Sequence, residues 1–319
     1  MHENNNKTKI EYILLACCTF NRPQLLQNCL YSIKNIQIPQ NIKVEVLVVD
    51  NDIYKSAKPI IEKLSTIINL KIHYIVEENR GLAFARNMLL KTSSQLGATH
   101  VMLFDDDELF TRDALMAHIG LLRQYNEDIL SSGVSVNTFN EKTPCFIKNN
   151  LIYKKHTTKK TGIVKTSSAT DNLFFPMSII KKHKIEFSEK FNFIGGEDID
   201  FTQRIFNLGY KIIQNSDSIL YEPVIKSRTS IKYIFKRAYF AGFCGSYINF
   251  KTEFIFKKTT YILTLFIVLI LNIFFLFLSL FGGRTLFLNN ITRIIKIIGK
   301  IVGLLIFMPI ELYKNIDGE

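Results

Sequence analysis

The sequence predicts an α/β protein: a Rossmann-like, mostly parallel sheet with helices on both faces, followed by C-terminal membrane-associated helices. Three observations predict it. Over roughly the first hundred residues, short apolar runs alternate with segments of helical period, the pattern of parallel strands buried on both faces. Each apolar run stops at a polar or acidic residue. Near the C-terminus, Tyr261 to Phe281 is almost wholly apolar, broken only by Thr264, Asn272 and Ser279.

The first strand is Tyr12 to Cys18, and it ends at Thr19-Phe20-Asn21-Arg22-Pro23. Pro23 suits the first turn of a helix, and Thr19 or Asn21 suits its cap. Leu25, Leu26, Cys29, Leu30 and Ile33 then recur at helical spacing. Val44 to Val49 is a β-branched run that stops at Asp50-Asn51-Asp52, and Ile60 to Ile68 has helical period. Lys71 to Val76 reads as a third strand, Gly81 to Thr92 as a third helix, and Val101 to Phe104 as a fourth strand closing on Asp105-Asp106-Asp107-Glu108. Ligands of such sheets bind beyond the carboxyl ends of the strands, and Thr19, Asp50, Glu78 and Asp105 all fall at such ends. Further on, Gly133 to Phe139 and Ile147 to Tyr153 read as short β-like pieces, and Asp171 to Phe175 as another strand.

The chain has 319 residues, 47% of them hydrophobic, enough for one large domain with a smaller one or for two medium domains. Its formal charge of +12 raises a nucleic-acid reading. The charge is clustered, however: Lys226, Arg228, Lys232, Lys236, Arg237, Lys251, Lys257 and Lys258 are opposed only by Glu253, directly before the apolar stretch. A basic collar beside an apolar segment points to a membrane surface and not to nucleic acid. About 20 apolar residues cover a hydrocarbon core of about 30 Å, so Tyr261 to Phe281 predicts a membrane-inserted helix. Ile291 to Tyr313, with Arg293, Lys296 and Lys300 on one face and Pro309 near its end, predicts an amphipathic helix lying in the interface in preference to a second span. The polar N-terminus carries no secretory signal pattern. Five cysteines without a CxxC spacing predict reduced, mostly buried thiols in a cytosolic compartment.

Two constellations carry chemistry. Asp105 and Asp107, just after a buried strand, can place hard oxygen ligands beside one divalent cation of the Mn2+ or Mg2+ kind, and such a cation relieves the repulsion among adjacent aspartates. In Gly195-Gly196-Glu197-Asp198-Ile199-Asp200-Phe201, paired glycines deliver two carboxylates to the start of a helix. There they serve either as capping charges for the helix dipole or as a base for an acceptor hydroxyl; spacing alone leaves both open. The histidines at 2, 73, 100, 118, 156 and 183 have no metal-ligand spacing and read as structural or solvated. No G-x-S-x-G, P-loop or GxGxxG segment occurs, which weakens hydrolase, kinase and dehydrogenase readings.

Thr19-Phe20-Asn21-Arg22-Pro23, Val48-Val49-Asp50-Asn51, Asn79 to Asn87, Phe104-Asp105-Asp106-Asp107 and Gly195 to Phe201 stand in an order that resembles glycosyltransferase family 2, over roughly residues 10 to 245. Tyr221-Glu222-Pro223, Arg228 and Arg237 to Gly242 resemble the closing segment of many bacterial members. The resemblance implies the GT-A fold. Residues 1–9 are then a polar tail, 10–250 the catalytic domain (10–130 the nucleotide-sugar half, 131–250 the acceptor half) and 251–319 a membrane-associated helical region. It implies that Thr19, Asn21, Arg22 and Asp50 hold the nucleotide base and that Arg86 faces the nucleotide or its phosphates. Asp105 and Asp106 would approach the ribose and metal, with Asp107 a metal ligand beside Asp105. Asp198 would be the general base of an inverting displacement, and Glu197 would lie on the acceptor side. The chain departs from the pattern in having no histidine after Tyr221; either Glu222 substitutes as a harder oxygen ligand or fewer protein groups hold the metal.

The implied partners are a nucleotide-sugar donor, a glycan or lipid-linked acceptor and a membrane, with no nucleic acid. The implied place is the cytoplasmic face of the inner (cell) membrane, anchored by the apolar helix 260–281, in bacterial surface polysaccharide or glycolipid synthesis. A nucleotidyltransferase acting on sugar phosphates is the rival enzyme, but Thr19 to Pro23 is not the Gly-rich basic phosphate loop it would carry. The other rival, a membrane-associated binding protein with the same fold and no turnover, is opposed by the intact Asp107 and Asp198.

Overall fold

The computed structural model describes residues 9–125, 128–153, 160–193, 195–250 and 255–305. The polar tail expected over 1–9, apart from Lys9, lies outside them, as do His2, His156, Ile194, Lys251, Glu253 and the end of the expected amphipathic segment, 306–313. In chain order the elements begin β1 (Tyr12–Thr19), α1 (Pro23–Ile33), β2 (Lys43–Asp50), α2 (Lys58–Ser65), β3 (Ile72–Val76), α3 (Leu82–Gln95), β4 (His100–Leu103), β5 (Leu109–Phe110), α4 (Ala114–Gln124) and β6 (Ile129–Thr138). They continue α5 (Cys145–Lys148), β7 (Val164–Lys165), β8 (Leu173–Pro176), α6 (Met177–His183), α7 (Glu197–Asn207), β9 (Lys211–Pro223), α8 (Ile231–Phe250), α9 (Ile255–Ser279) and α10 (Arg284–Leu305). The chain divides into two compact units, the first from described residues 9–136 and 160–222, the second from 137–153 and 223–305.

The first unit is built on a mixed sheet of strand order β3-β2-β1-β4-β8-β6-β9-β5, with β7 on β9. The parallel pairing expected from the βα alternation runs across β3, β2, β1 and β4. Beyond β4 the pairs are antiparallel, β8 on β4 and on β6, and β5 and β7 on β9. The period-2 alternation of β1 explains the layering. Ile13, Leu15 and Cys17 face one core with α1, α2 and α4, while Tyr12, Leu14 and Ala16 face another with α3, α6 and α7. Register places the strand ends side by side: Thr19 pairs with Asp50, and Asp50 with Val76. All the loops that follow these ends therefore open at one edge of the sheet.

Ile147 to Tyr153, expected as a β-like piece, is instead α5 followed by a 3-10 turn at Leu151–Tyr153. Ile147 is buried with Ile234 of α8 and Leu288 of α10, and Ile152 and Tyr153 pack on that cluster. The polar residues between them close against α10: Asn150 Nδ2 donates to Thr292 Oγ1 at 3.0 Å, and Leu151 N donates to Asn289 Oδ1 at 3.0 Å. No disulfide links the five cysteines; Cys17 and Cys29 are buried, Cys18 and Cys244 half-buried, and Cys145 exposed.

In the second unit α8 and α10 approach until backbone meets backbone. A Cβ added to Gly299 would lie 2.1 Å from Tyr239 O, and one added to Gly242 would lie 2.1 Å from Lys296 O. Helix α9 is of another kind. Lys257–Ser279 has a mean hydropathy of 2.8 over its most apolar window, and only 11% of that window is buried. The helix stops at Ser279, two residues short of the expected end, where the Gly282-Gly283 turn leads into α10 with Gly283 at φ +84°. Because Gly299 has no room for a larger side chain, Gly299→Val is expected to destabilise the α8–α10 pairing by about 1–3 kcal/mol or more. Urea unfolding followed by limited proteolysis of the second unit measures it.

Candidate active site

The loops at the sheet edge are fixed by hydrogen bonds among their own polar groups. Asp50, fully buried, accepts from Asp52 N at 3.1 Å, Ala57 N at 3.0 Å and the Tyr74 hydroxyl at 2.8 Å. Its carboxylate thus organises the β2–α2 loop from inside. Asn51 ties that loop to the next one, donating to Glu77 O and Asn79 O and accepting from Gly81 N at 2.8 Å. Gly81, at φ +149°, leads into α3, and Asn192 from far along the chain caps that helix by accepting from Ala83 N at 2.8 Å. Any side chain at 81 would collide with Asn192, 2.6 Å from where its Cβ would stand.

The β1–α1 and β2–α2 loops border an open cleft whose walls include Phe20, Asn21, Asp52, Tyr54 and Arg80. Tyr54 is 90% exposed there, and the Arg80 guanidinium lies 4.8 Å from the centre of the Phe20 ring. A flat aromatic beside a cation offers stacking surface to a planar ring. Of these residues sequence reasoning singled out Asn21 alone; the pairing of Phe20 with Arg80 arises from tertiary placement.

The acidic run after β4 is held differently at each residue. Asp106 accepts from Thr19 Oγ1 at 2.7 Å and from Arg22 Nη1 at 3.3 Å, and Arg22 also reaches Asp107 Oδ2 at 3.7 Å. Thr19, Arg22, Asp106 and Asp107, all predicted from the sequence, are therefore one group. Loss of water raises the Asp106 carboxyl to about 6 against the opposing pull of Arg22. Glu108 does not start a helix; it is buried, accepting from Asp105 N at 2.9 Å and from the Ser135 hydroxyl. Its role is to shape the turn that carries the three aspartates.

A second group joins the two constellations. Arg86 of α3 is buried and forms an ion pair with Glu197, and its Nη2 stands 3.7 Å from Asp105 Oδ1. Asp198 follows at the start of α7, behind Gly195 and Gly196, whose φ values of +82° and +93° permit the tight turn. About half of the Asp105 side chain still meets solvent, yet crowding by protein removes enough water to push its carboxyl above the ordinary range. Arg86 opposes that shift, and Asp107, Asp171 and Glu222 add to it. Asp198 is pushed up to about 7, first by loss of water and then by Glu197, with Arg86 and the Ile199 N–H opposing.

Asp171 was read from the sequence only as part of a strand. It acts electrostatically on both Asp105 and Asp198, so it belongs to the site. Its neighbour Asn172, at φ +60°, is pinned by His118 Nε2 at 2.7 Å and by hydrogen bonds to Val134 O and Ser218 O. No signal in the sequence joins His118 to Asn172. Among the described residues, no set of three or more His, Cys, Asp or Glu side chains converges as a ligand group. Asp107, Asp171 and Glu222 each oppose ionisation of Asp105, and a divalent cation bound there would relieve that repulsion.

Comparison with known proteins gives a consistent result. The model for glycosyl transferase family 2 matches residues 15–184, more than half of the chain. Succinoglycan biosynthesis protein ExoM of Rhizobium meliloti (strain 1021) is 24% identical over 234 residues, covering 72% of this chain and 73% of that protein. Among solved structures, TarS 1–349 of S. aureus in complex with UDP matches with a TM-score of 0.51 and 18% identity, over 72% of this chain. Mannosyltransferase PcManGT of Pyrobaculum calidifontis, in complex with GDP-Man and Mn2+, matches with a TM-score of 0.54 and 19% identity, also over 72% of this chain. The chain spans 65% of the TarS structure and 61% of the mannosyltransferase structure. These structural likenesses establish the fold.

Burial makes Arg86 the counter-charge that Glu197 depends on. Arg86→Met is expected to destabilise the first unit by about 3–5 kcal/mol. Adding Glu197→Leu is expected to recover part of that loss, because the stranded carboxylate is then gone. Urea unfolding of the single and double variants checks both.

Proposed function

The chain belongs to glycosyl transferase family 2, and from that premise we propose that it transfers a sugar, with inversion, from a nucleoside-diphosphate sugar to a glycan or lipid-linked acceptor. The observation that carries this reading is the place of Asp198 in the first turn of α7, next to the Glu197 that pairs with Arg86, with its carboxyl pushed up to about 7. A general base works best when its pKa lies near the working pH.

In this reading the nucleotide base occupies the cleft of Phe20, Tyr54 and Arg80, and Asn21, together with the Asp50-organised loop, shapes that cleft. Thr19 and Arg22 hold Asp106 toward the ribose. Asp105 and Asp107 would hold the divalent cation, with Glu222 the oxygen donor where many relatives have histidine. The cation, when bound, neutralises charge on the departing diphosphate. Asp198 takes the proton of the acceptor hydroxyl as its oxygen bonds to the anomeric carbon; the bond from that carbon to the diphosphate oxygen breaks on the opposite face, and the diphosphate leaves with the electron pair. Glu197, neutralised by Arg86, borders the acceptor side.

The UDP and GDP-Man in the related structures support a nucleotide-sugar donor, and the Mn2+ of the mannosyltransferase supports the cation. The succinoglycan role of ExoM supports a bacterial polysaccharide or glycolipid setting. Helix α9 and its basic surroundings support attachment to the cytoplasmic face of the cell membrane, where nucleotide-sugars are present.

Asp198 must be ionised to act, so transfer is expected to rise with pH through about 7 and to fall about tenfold per unit below it. Asp198→Asn is expected to keep donor binding and to lose transfer by at least about 100-fold. Initial rates across pH, with calorimetry of the variant, measure both; near-normal turnover of the variant removes Asp198 as the base. The cation has its own test. The raised carboxyls of Asp105, Asp106 and Asp198 bind protons in the native chain that the unfolded chain has released, so stability falls as pH rises from about 4 to about 7. Mn2+ should therefore raise the Tm more at pH 8 than at pH 5, and Asp107→Ala should abolish the difference. A Mn2+ shift in the variant that is as large and as pH-dependent as in the parent chain counts against Asp107 as a ligand.

A further inference from the structure

The three long helices of the second unit share a charge pattern. Lys232, Lys236 and Arg237 on α8, Lys257 and Lys258 on α9, and Arg284, Arg293, Lys296 and Lys300 on α10 are nine cations, and the three helices contain no Asp or Glu. Beside them α9 exposes Leu263, Phe266, Ile270, Phe274 and Phe277 along one side and Leu271 and Leu278 on the adjoining one. Large apolar side chains in that number do not stay in water, and a cationic border selects an anionic partner.

How α9 meets that partner follows from what lies next to it. Near its start, Tyr261 accepts a hydrogen bond from Lys300 Nζ at 3.2 Å and stacks on Phe250 at the end of α8. Toward its end, Phe275 O faces Asn290 Nδ2 at 3.4 Å. Helices α9 and α10 are thus antiparallel, and Arg293 and Lys296, both exposed, fall opposite the middle of α9. Were α9 to cross a bilayer, those two cations would stand at the depth of the hydrocarbon centre, the least favourable place for them. Helix α10 is in turn locked to α8 at Gly242, Gly299 and Gly303, so it cannot swing away without opening a close backbone contact.

Resting on the membrane-associated reading above, we propose that α9 lies in the plane of the membrane surface, sunk into a single leaflet rich in anionic headgroups, and does not cross the bilayer. In this orientation the apolar sides of α9 enter the acyl region while the cations of α8 and α10 stay at headgroup level. Both ends of α9 then face the same aqueous side.

Membranes from cells expressing the full chain with Arg284→Cys provide the test. Cys145, exposed in the second unit, is the same-side reference for a membrane-impermeant maleimide, with the labelled peptides read by mass spectrometry. Residues 145 and 284 should label together in inverted vesicles and both stay unlabelled in intact spheroplasts, with detergent raising the vesicle signal of 284 less than twofold. Labelling of 284 only from the side opposite to 145 makes α9 a spanning helix and overturns the proposal, while the membrane reading stands. Recovery of the chain as a soluble dimer overturns both, because a second copy then covers α9. In a second measurement, Lys257→Gln with Lys258→Gln should lower binding of the purified chain to phosphatidylglycerol-containing vesicles by roughly fivefold per charge at low salt. Unchanged binding removes the anionic headgroups from the proposal.

Discussion

The ion pair between Arg86 and Glu197 is the constraint on which the rest of the site depends. It joins a helix that follows the third strand to one that begins more than a hundred residues later, and it does so with both partners buried. A buried ion pair is a poor source of stability, because desolvation consumes most of the Coulombic gain. Its value here is positional. Arg86 can stand where it does only because α3 starts where it does, and that start is fixed by Gly81, Asn51 and the Asn192 cap. A change at any of these residues would reach the carboxylates without touching them.

With that cation in place, adjacent carboxylates take different roles. Glu197 receives the guanidinium directly. Asp198, one residue on, has lost much of its water and sits next to the Glu197 charge, and Arg86 only partly offsets this. Desolvation wins over attraction at Asp198. Two adjacent carboxylates thus meet different surroundings, one in direct contact with the guanidinium and one with its carboxyl pushed up to about 7, the kind of division that the proposed base requires. On the other side Arg22 is the shared cation of Asp106 and Asp107, at 3.3 Å and 3.7 Å.

Most of this edge of the sheet was legible in the sequence because parallel strands buried on both faces read as unbroken apolar runs, and a residue that ends such a run is placed at the loop edge by geometry alone. Thr19, Asp50 and Asp105 were found in this way. Asp171, Asn192 and the Phe20–Arg80 pair were not, since each acts through a partner distant in the chain and carries no local pattern. The segment from Ile147 to Tyr153 was misread for a related reason. Its apolar spacing is compatible with a short strand, but the surface it covers belongs to α8 and α10, and against helices it coils. The boundaries of α9 shifted because apolar composition continues through Leu280 and Phe281 while the glycines after them end the helix.

Apolar length by itself does not separate a helix that spans a bilayer from one that lies on it. At 25 residues α9 is long enough to span and can equally lie along the interface. The difference lies in the neighbours. A spanning helix must have companions that tolerate lipid at every depth; α9 has α10, whose charges are spread from Arg284 to Lys300 along nearly its whole length. A transferase of the proposed kind, with a water-soluble donor and a lipid-linked acceptor, has no need of contact with the far leaflet. What it needs is lasting residence at one surface, and a broad apolar helix bordered by nine cations meets that need while leaving every charge at a depth where water or headgroups can solvate it.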